Sequence, residues 1–582
     1  MHIRQLSVHH FRGFSDMPLK PSGNVVLMGE PGAGRSDLIN AISKVLDPDV
    51  IRAGSTTELD FHQRNTEIPI DISVTIGNLG SDLEQHFLNY LEVWDIEGDR
   101  LIEESESPEE VTGQNWVLRV AYRGQWLPDQ ERCDDIVYYP KYSDPSTQSF
   151  RRASMADIER FGFTLLHYES GRILDLGSRG TFRKIVQRSP GDDFTAALSG
   201  YVQSIADAAA QFTASNQVKA ALGEVIVSMR EILRIQATAD VSQLISFSPE
   251  GGAPSGLLRS LGPTIDLGGG AGALPAWRQG STVGTLFRLA ESIALSTGSK
   301  VIVAVDDLGD GMDPASAMHF GAVIRSIAGQ TWIATRLPSV AEIFETNEVI
   351  RLSRALDGTR SAHQGAVPTT KSEAIAARHW RRNLLPTFTY HSIIVVEGPH
   401  DLAALHSLAI RLCIEGGVCL PAGHSAAIIS AGATGGGGYS AVLRLTALAK
   451  EMGLCAVGVV DGDTDAGARA FVTVHAGDAN AVIRYPDGCA IEHAIVHGVP
   501  DASIRQALVD VSSAMGLTAP TGLAGLTGTA LESQAIKFIK DNAIHAAFID
   551  ALPFSDITPL AKTLLEKAVT AAREQLSGMI QL

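Results

Sequence analysis

The sequence predicts a mixed α/β protein that contains two successive α/β units, each built on a mostly parallel sheet. Three observations support this fold class. A glycine-rich stretch at residues 29–36 lies between a short apolar run and a helical stretch. The apolar run at residues 301–305 has the composition of a central parallel strand. From Ser392 onward, apolar runs alternate with helical stretches, which is typical of a parallel sheet.

The bulk composition is that of a multidomain globular protein. A chain of 582 residues with 45% hydrophobic and 19% charged residues is expected to form roughly two to four domains. The formal net charge of −18 argues against a protein that coats nucleic acid, because such binding depends on Lys and Arg at the phosphates. A nuclease is still compatible with this charge, since a local basic groove can exist on a protein whose net charge is negative.

Cysteine usage and hydropathy favour the cytoplasm. The five cysteines include no CxxC pair, which argues against a disulfide framework and a structural zinc site. The N-terminal residues lack the apolar run of a signal peptide. No stretch of about 18 apolar residues is present, so we expect no membrane span.

The chain divides into five predicted segments. Residues 1–154 and 241–355 are expected to form the first α/β unit, and the glycine- and proline-rich stretch 249–284 is expected to be loop. A helical insertion, a candidate dimerisation element, is expected at 155–240. A polar linker at 356–390 precedes the second unit, 391–582, which ends in helices.

The glycine-rich stretch has the frame of a phosphate-binding loop. Gly29, Gly32 and Gly34 would let backbone N–H groups approach a phosphate, at the start of a helix whose dipole favours anions. Ser36 stands where such loops carry a Mg²⁺-binding hydroxyl, and Arg35 stands in place of the usual Lys. The alternative is an ordinary glycine-rich turn between a strand and a helix.

A second acidic element completes the candidate ATP site. Asp306 and Asp307 follow the apolar run at 301–305, which would place one carboxylate near Mg²⁺ and the next near the attacking water. The alternative is a buried strand that ends in a solvated turn. Gly280 and Ser281 stand where ABC-type ATPases carry the signature loop, which contacts the nucleotide of a partner subunit. That position implies a dimer.

Two acidic motifs mark the second unit. One apolar run ends in Glu397 and Gly398. A later apolar run ends in Asp461, Gly462 and Asp463. Side chains two residues apart on extended chain face the same way, and carboxylates suit Mg²⁺ or Mn²⁺. Glu397 can bind metal or move a proton. The alternatives are an Asx-rich turn at the two aspartates and, for Asp401, a helix cap.

These motifs resemble two known families. The second unit resembles the Toprim domain of topoisomerases, primases and OLD (overcoming lysogenisation defect) nucleases. The whole chain is similar to the OLD family in the order of its motifs, which are Phe11-Arg12-Gly13-Phe14, the glycine-rich loop, Asp60-Phe61-His62, Gly280-Ser281, Asp306-Asp307 and Met312-Asp313-Pro314. The resemblance implies an ABC-type ATPase domain with a helical insertion, followed by a Toprim domain.

The resemblance also implies a function. OLD nucleases are metal-dependent enzymes that nick or cleave DNA, regulated by nucleotide, in a dimer or larger assembly. They include anti-phage proteins and the nuclease subunits of Gabija systems, which act with a helicase partner. The implied metal ligands at a two-metal site are Glu397, Asp401, Asp461, Asp463 and Glu492. Lys540 would stabilise charge on the scissile phosphate, and Lys537 is a rival for that role.

Three departures from the active ATPase pattern predict ATP binding with slow or no hydrolysis. Arg35 replaces Lys, Asp307 replaces Glu, and Arg336 replaces a phosphate-sensing His. Such changes displace the groups on which phosphoryl transfer depends. The alternative is that the two arginines are compensating lineage variants.

Two other functions compete with the nuclease. A RecF- or SMC-like DNA-binding ATPase of repair, with a non-catalytic Toprim domain, is disfavoured by the intact acids at 397, 461 and 463. A primase or topoisomerase is disfavoured because neither zinc-binding cysteines nor a topoisomerase tyrosine domain is evident. Two modest basic clusters, at residues 179–188 and 378–382, do not identify a DNA-binding surface.

Overall fold

The computed structural model divides the chain into two compact units. It describes residues 1–102, 114–166, 174, 181–188, 215–227, 229, 245–248, 262–268, 272–279, 283, 284, 286, 287, 290, 291, 294, 302–371, 373, 375, 380–432 and 438–582. Unit 1 contains Met1–Met28, Gly34–Ile350 and Leu356–Arg360, and unit 2 contains Gly29–Ala33, Arg351–Ala355 and Ser361–Leu582. Across the described residues, no helix combines the length and apolar character needed to cross a bilayer.

The strands of the described residues are numbered in chain order. They are β1 (His2–Phe11), β2 (Phe14–Leu19), β3 (Val25–Gly29), β4 (Ile70–Gly77), β5 (Leu91–Asp95), β6 (Arg100–Leu101), β7 (Gln114–Leu127), β8 (Arg132–Tyr138), β9 (Thr164–Leu166), β10 (Ile245–Ser248), β11 (Gly262–Ile265), β12 (Leu274–Pro275), β13 (Ile302–Val305), β14 (Gln330–Ala334), β15 (Val349–Arg354), β16 (Arg360–Gln364), β17 (Ser392–Val396), β18 (Ala426–Ser430), β19 (Cys455–Val460), β20 (Ala481–Arg484) and β21 (Gly578–Gln581).

The α-helices are numbered in the same way. They are α1 (Arg35–Leu46), α2 (Pro48–Ala53), α3 (Ser81–His86), α4 (Met155–Arg160), α5 (Thr181–Arg188), α6 (Asn216–Val227), α7 (Pro314–Ile327), α8 (Pro338–Ala341), α9 (Pro399–Ile414), α10 (Tyr439–Glu451), α11 (Ala466–His475), α12 (Ile491–Val496), α13 (Asp501–Met515), α14 (Thr529–Asn542), α15 (His545–Ala551) and α16 (Pro559–Glu574).

Two strands that lead into predicted site motifs, β3 before the glycine-rich loop and β13 before the Asp306-Asp307 motif, belong to the same sheet. Strands β3, β14, β13 and β9 pair in parallel, with Val25 opposite Trp332 and Ala304 opposite Leu165. The sheet order is β16-β15-β3-β14-β13-β9. All residues of β3 and β13 are buried, as expected of strands covered on both faces. The carboxyl ends of β3 and β13 therefore meet at one edge of the sheet.

The second large sheet of unit 1 is antiparallel. Its order is β2-β1-β4-β7-β5-β6, and β8 pairs with β7. In β4, alternate residues Ile70, Ile72 and Val74 are buried, while Asp71 and Ser73 are half-buried. This alternation matches a sheet with one face on a core.

Unit 2 is built on a five-stranded parallel sheet with the order β18-β17-β19-β20-β21. Every residue of β17 and β19 is buried. The core includes side chains from the sheet and from the flanking helices, such as Leu405, Ile495, Leu531 and Leu564. Because the strands are parallel, the loops after β17, β19 and β20 lie at one edge.

Three expectations need correction. The expected linker at 356–390 contains β16, whose polar residues suit its place at the end of a sheet, where a strand is half exposed. The expected helical insertion at 155–240 contains β9, and at three residues this strand is too short to show a periodicity. The expected loop at 249–284 contains β11 and β12, which form a small antiparallel sheet with β10.

Candidate nucleotide and metal sites

The glycine-rich loop connects β3 to α1 in a backbone conformation that favours glycine. Gly29, Gly32 and Gly34 have φ angles of 152°, 80° and 100°, in the region that side chains disfavour. A Cβ at Gly29 would lie 2.4 Å from the carbonyl oxygen of Leu352, and one at Gly34 would lie 2.6 Å from Phe14. The three glycines are therefore required by the turn itself.

Ser36 and Asp306, the two residues expected to hold Mg²⁺ at a nucleotide site, are in direct contact. The Ser36 hydroxyl donates a 2.9 Å hydrogen bond to Asp306 across 270 residues of chain. Burial raises the pKa of Asp306, and the hydrogen bond from Ser36 partly opposes that effect. A hydroxyl and a carboxylate thus stand together at the N-terminus of α1.

The two arginines that depart from the active ATPase pattern flank Asp307. Arg35 donates a 2.7 Å hydrogen bond to the carbonyl oxygen of Thr335 and lies 3.9 Å from Asp307. Arg336 lies 3.8 Å from the same carboxylate oxygen. Among the described residues, this oxygen is buried and accepts no hydrogen bond, and Asp307 has a φ of 48°. Arg35 is therefore directed toward Thr335 and Asp307.

Other sequence motifs of the first unit also meet. Arg12 donates a 2.8 Å hydrogen bond to Asp60 and contacts Asp37 at 3.3 Å. Arg360 donates to the same Asp37 carboxylate at 2.6 Å. Asp37 and Arg360 were missed by the sequence argument. In the Met312-Asp313-Pro314 motif, Asp313 caps α7 by accepting hydrogen bonds from two backbone amides. Gly280 and Ser281 lie outside the described residues.

Acidic side chains cluster at the carboxyl edge of the unit 2 sheet. Glu397 follows β17, Asp461 follows β19, and Glu397 accepts a 2.9 Å hydrogen bond from the Asp461 backbone amide. Burial is the main cause that raises the pKa of Asp461 to about 8, and the negative charges of nearby acids add to this effect. Burial likewise raises the pKa of Glu397 to about 7, and the charges of Asp401 and Asp463 contribute. The charges of Asp401 and Glu492 also raise the pKa of Asp461. We call Glu397, Asp401, Asp461 and Glu492 the carboxylate cluster.

Gly462 allows two loops to approach closely at the cluster. A Cβ at this position would lie 1.8 Å from the carbonyl oxygen of Pro486. The Gly462 amide donates to the carbonyl oxygen of Cys489 at 2.8 Å, and the Gly488 amide donates to the Gly462 carbonyl at 2.5 Å. The loop that carries Asp461 is therefore bound to the loop that leads into α12.

The remaining predicted acids differ in their surroundings. Asp401 lies in the first turn of α9 and accepts a 2.8 Å hydrogen bond from the Gly398 amide, so it also serves as a cap. Burial raises its pKa. Asp463 is exposed, and its backbone carbonyl accepts hydrogen bonds from Arg469 and Arg484. Asp461 and Asp463 lie after β19 rather than within it, and Asp461 is the more enclosed of the two.

Glu492 is buried at the start of α12. Its carboxylate faces the Nε2 atom of His545 at 3.1 Å. Burial alone would raise the Glu492 pKa, but the hydrogen bond from His545 and the charges of His545 and Lys540 together lower it. Lys540 is exposed on α14, and its charge helps to lower the pKa of Glu492. Lys537 is also exposed on α14.

The sequence argument missed His545 and Tyr485. Tyr485 follows β20, the parallel neighbour of β19. Because residues that follow parallel strands meet at one edge of the sheet, its position in the sequence could have indicated it. Burial, followed by the charges of the carboxylate cluster, raises its pKa well above the usual value. His545 is 53 residues from Glu492, and no sequence pattern joins the two.

The donor chemistry of the cluster suits a hard divalent cation. Oxygen ligands are those that Mg²⁺ and Mn²⁺ take, and mutually repelling, half-buried carboxylates would be relieved by a cation. Within the described ranges, however, no three His, Cys, Asp or Glu side chains form a group that could hold a metal ion. The metal ligands therefore stay a proposal.

Comparison with known proteins gives a partial family match and distant structural likenesses. A family profile described as "Protein of unknown function (DUF2813)" matches residues 1–75. No curated protein matches the chain.

The similar solved structures include SMC head domains. The SmcHead bound to the C-winged helix domain of ScpA is 14% identical, with 65% of this chain and 100% of that chain covered and a TM-score of 0.35. The Smc head with an extended coiled coil, bound to the C-terminal domain of ScpA derived from Pyrococcus furiosus, is 13% identical, with 66% and 99% covered and a TM-score of 0.36. The SMC head domain from Thermotoga maritima is 13% identical, with 63% and 100% covered and a TM-score of 0.29.

Proposed function

We propose that this protein is a nucleotide-regulated, divalent-metal-dependent DNA endonuclease. The observation that carries the proposal is the carboxylate cluster at the carboxyl edge of the unit 2 sheet. Burial of so many acids at one edge opposes stability, because each buried carboxylate disfavours ionisation of its neighbours. Perturbed carboxylates of this kind concentrate at functional sites.

The cluster residues divide the proposed chemistry between them. Bound Mg²⁺ or Mn²⁺ would activate the attacking water and stabilise the leaving oxygen. Asp461, Asp401 and Glu492 would hold the metal, and the exposed Asp463 would complete the set. Glu397, with a pKa of about 7, is suited to accept a proton near neutral pH. Lys540 would stabilise negative charge at the scissile phosphate.

The proposed regulator is ATP at the glycine-rich loop. Ser36 and Asp306, joined at 2.9 Å, would hold its Mg²⁺, and the loop amides would contact its phosphates. We propose slow hydrolysis, because Arg35 is hydrogen-bonded to Thr335 and the buried Asp307 oxygen lies between two guanidinium groups. Turnover near roughly 1 per second, within the ordinary enzyme range, would contradict slow hydrolysis.

The proposed assembly and biological role come from the resemblance to OLD nucleases. We propose a homodimer or larger oligomer and a role in anti-phage defence, with a helicase partner if the chain is a Gabija-type subunit. Light scattering on the full-length protein tests the oligomer, and a strictly monomeric protein at high concentration would contradict it. A phage plaque assay with and without neighbouring genes tests the role and the partner.

The activity is tested with supercoiled plasmid, Mg²⁺ or Mn²⁺, and ATP present or absent. Nicked or linear plasmid should form with metal and should not form in EDTA. Asp461→Asn should abolish cleavage, whereas Ser36→Ala should change only its response to ATP. DNA binding and ATP turnover without any cleavage would instead favour a DNA-associated ATPase of the SMC type with a non-catalytic second unit.

A further inference from the structure

A buried histidine contacts the carboxylate cluster from within the core of unit 2. His545 is 2% exposed and begins α15. Its Nε2 atom lies 3.1 Å from Glu492, whose side chain is 7% exposed. Because an ionised carboxylate only accepts hydrogen bonds, the Nε2 atom of His545 is the donor.

One contact of the His545 ring and two contacts of its helix, α15, hold this histidine against α9. Its ring stacks on the ring of His400, with centroids 5.2 Å apart and an interplanar angle of 8°. Arg411 of α9 donates a 2.6 Å hydrogen bond to the carbonyl oxygen of Ile549 in α15. Ser407 of α9 also donates to Asp550 of α15. The helix that carries Asp401 and the helix that carries His545 are therefore tied together.

The second ring nitrogen of His545 argues against a purely stabilising role. Among the described residues, Nδ1 of His545 is buried and has no hydrogen-bond partner. A buried polar atom without a hydrogen bond destabilises the fold, so an apolar residue would suit the packing better. A histidine at this position is explained by what Nε2 does for Glu492.

We infer that His545 is a positioning residue, which orients the Glu492 carboxylate toward the other three acids for binding of a divalent cation. The inference rests on the proposed metal role of the cluster and adds a residue to it. The charge of Glu492 raises the pKa values of Asp401 and Asp461, so its orientation bears on these two acids. Hydrogen-bonding partners of metal ligands commonly set ligand orientation in this way.

The test is Mn²⁺ binding to the EDTA-stripped full-length protein, measured from the electron paramagnetic resonance signal of free Mn²⁺. His545→Leu should weaken binding by about 10- to 100-fold, the usual effect of losing such a partner. His545→Gln should restore affinity to within a few-fold, because its amide can donate to Glu492. Urea unfolding of the metal-free variants should show that His545→Leu is folded.

The matched control is His497→Leu. His497 also contacts a glutamate on a neighbouring helix, Glu532, at 2.8 Å, but outside the cluster. This variant should bind Mn²⁺ as the unmodified protein does. Equal loss in His545→Leu and His497→Leu would overturn the inference, because both changes would then act through the fold.

Glu492→Gln separates the two possible failures. If Glu492→Gln weakens Mn²⁺ binding and His545→Leu does not, the inference is overturned and the metal role of Glu492 stands. If Glu492→Gln leaves binding unchanged, the metal role of Glu492 and the inference are both overturned. Loss in Glu492→Gln and His545→Leu, with rescue by Gln, is the result we expect.

Discussion

The glycine-rich loop region and the carboxylate cluster differ in how their charges are balanced. At the first site, Asp306 accepts from Ser36, and two arginines flank Asp307. At the second site, Glu492 pairs with His545, but Glu397 and Asp461 lie among other acids and have pKa values raised to about 7 and about 8. One site presents cations and a helix N-terminus, and the other presents concentrated negative charge.

This difference indicates which ligand each site would take. A loop with backbone amides and nearby guanidinium groups suits an anionic phosphate. A set of partly buried carboxylates suits a divalent cation, whose charge would relieve their repulsion. The two sites therefore call for different ligands, and substitutions at each should affect a different ligand.

The largest effect is expected from Asp461→Asn, which removes a charge at the centre of the carboxylate cluster. Metal-dependent plasmid cleavage should fall by at least about 100-fold, since even outer-shell changes at metal sites cost 10- to 100-fold. The control is Asp465→Asn, four residues away, where the side chain caps α11. The control should keep its fold, because Asn caps a helix about as well as Asp, and should keep its cleavage rate. Equal cleavage by both variants would show that Asp461 is not part of the site.

Gly462→Ala should disturb the cluster through the backbone. The new Cβ would lie 1.8 Å from the Pro486 carbonyl oxygen, so the two loops must separate. We expect a loss of about 1–3 kcal/mol in the free energy of unfolding, as for other overpacked sites, measured by urea titration. Gly477→Ala, with nothing within 4 Å of the new Cβ, is the control. Wild-type stability in Gly462→Ala would show that the loops are not tightly joined.

Ser36→Ala tests the candidate nucleotide site. Removing the hydroxyl that bonds to Asp306 should weaken Mg²⁺–ATP binding by about 10-fold, the usual size of a lost hydrogen bond to a charged group. Calorimetry gives the affinity, and Mn²⁺ binding at the carboxylate cluster should not change. Ser43→Ala, in the same helix, where the hydroxyl donates to the Ile39 carbonyl oxygen, should leave ATP affinity intact.

The smallest effect is a pH dependence of stability in the metal-free protein. Folding raises the pKa of Glu397 from 4.5 to about 7 and that of Asp461 from 3.8 to about 8. The folded state thus holds more protons than the unfolded state, so these groups stabilise the fold at low pH, and that contribution is lost as pH rises from about 4 to about 8.

Urea titrations in EDTA at several pH values measure this decline. It should be smaller in Asp461→Asn, which cannot ionise at that position, and Mn²⁺ should reverse it in the unmodified protein. A decline of the same size in both proteins would mean that Asp461 is not one of the groups responsible.

The sequence was most informative where chemistry follows the end of a strand. Glu397 and Asp461 follow β17 and β19, and Ser36 meets Asp306, because parallel strands bring their carboxyl ends to one edge. Tertiary packing decided what the sequence could not predict. The contact of His545 with Glu492 joins α15 to α12. Glycine is required at position 462 because the backbone of residues 485–489 approaches it closely. Neither leaves a periodicity or a spacing in the chain.

The most direct test of the carboxylate cluster is an anomalous difference map from crystals of the full-length protein soaked in Mn²⁺. Our account predicts at least one strong peak coordinated by Asp461 and by another member of the cluster, and the loss of that peak in Asp461→Asn. Peaks only at other places, in crystals of a protein that cleaves plasmid with Mn²⁺, would contradict the account.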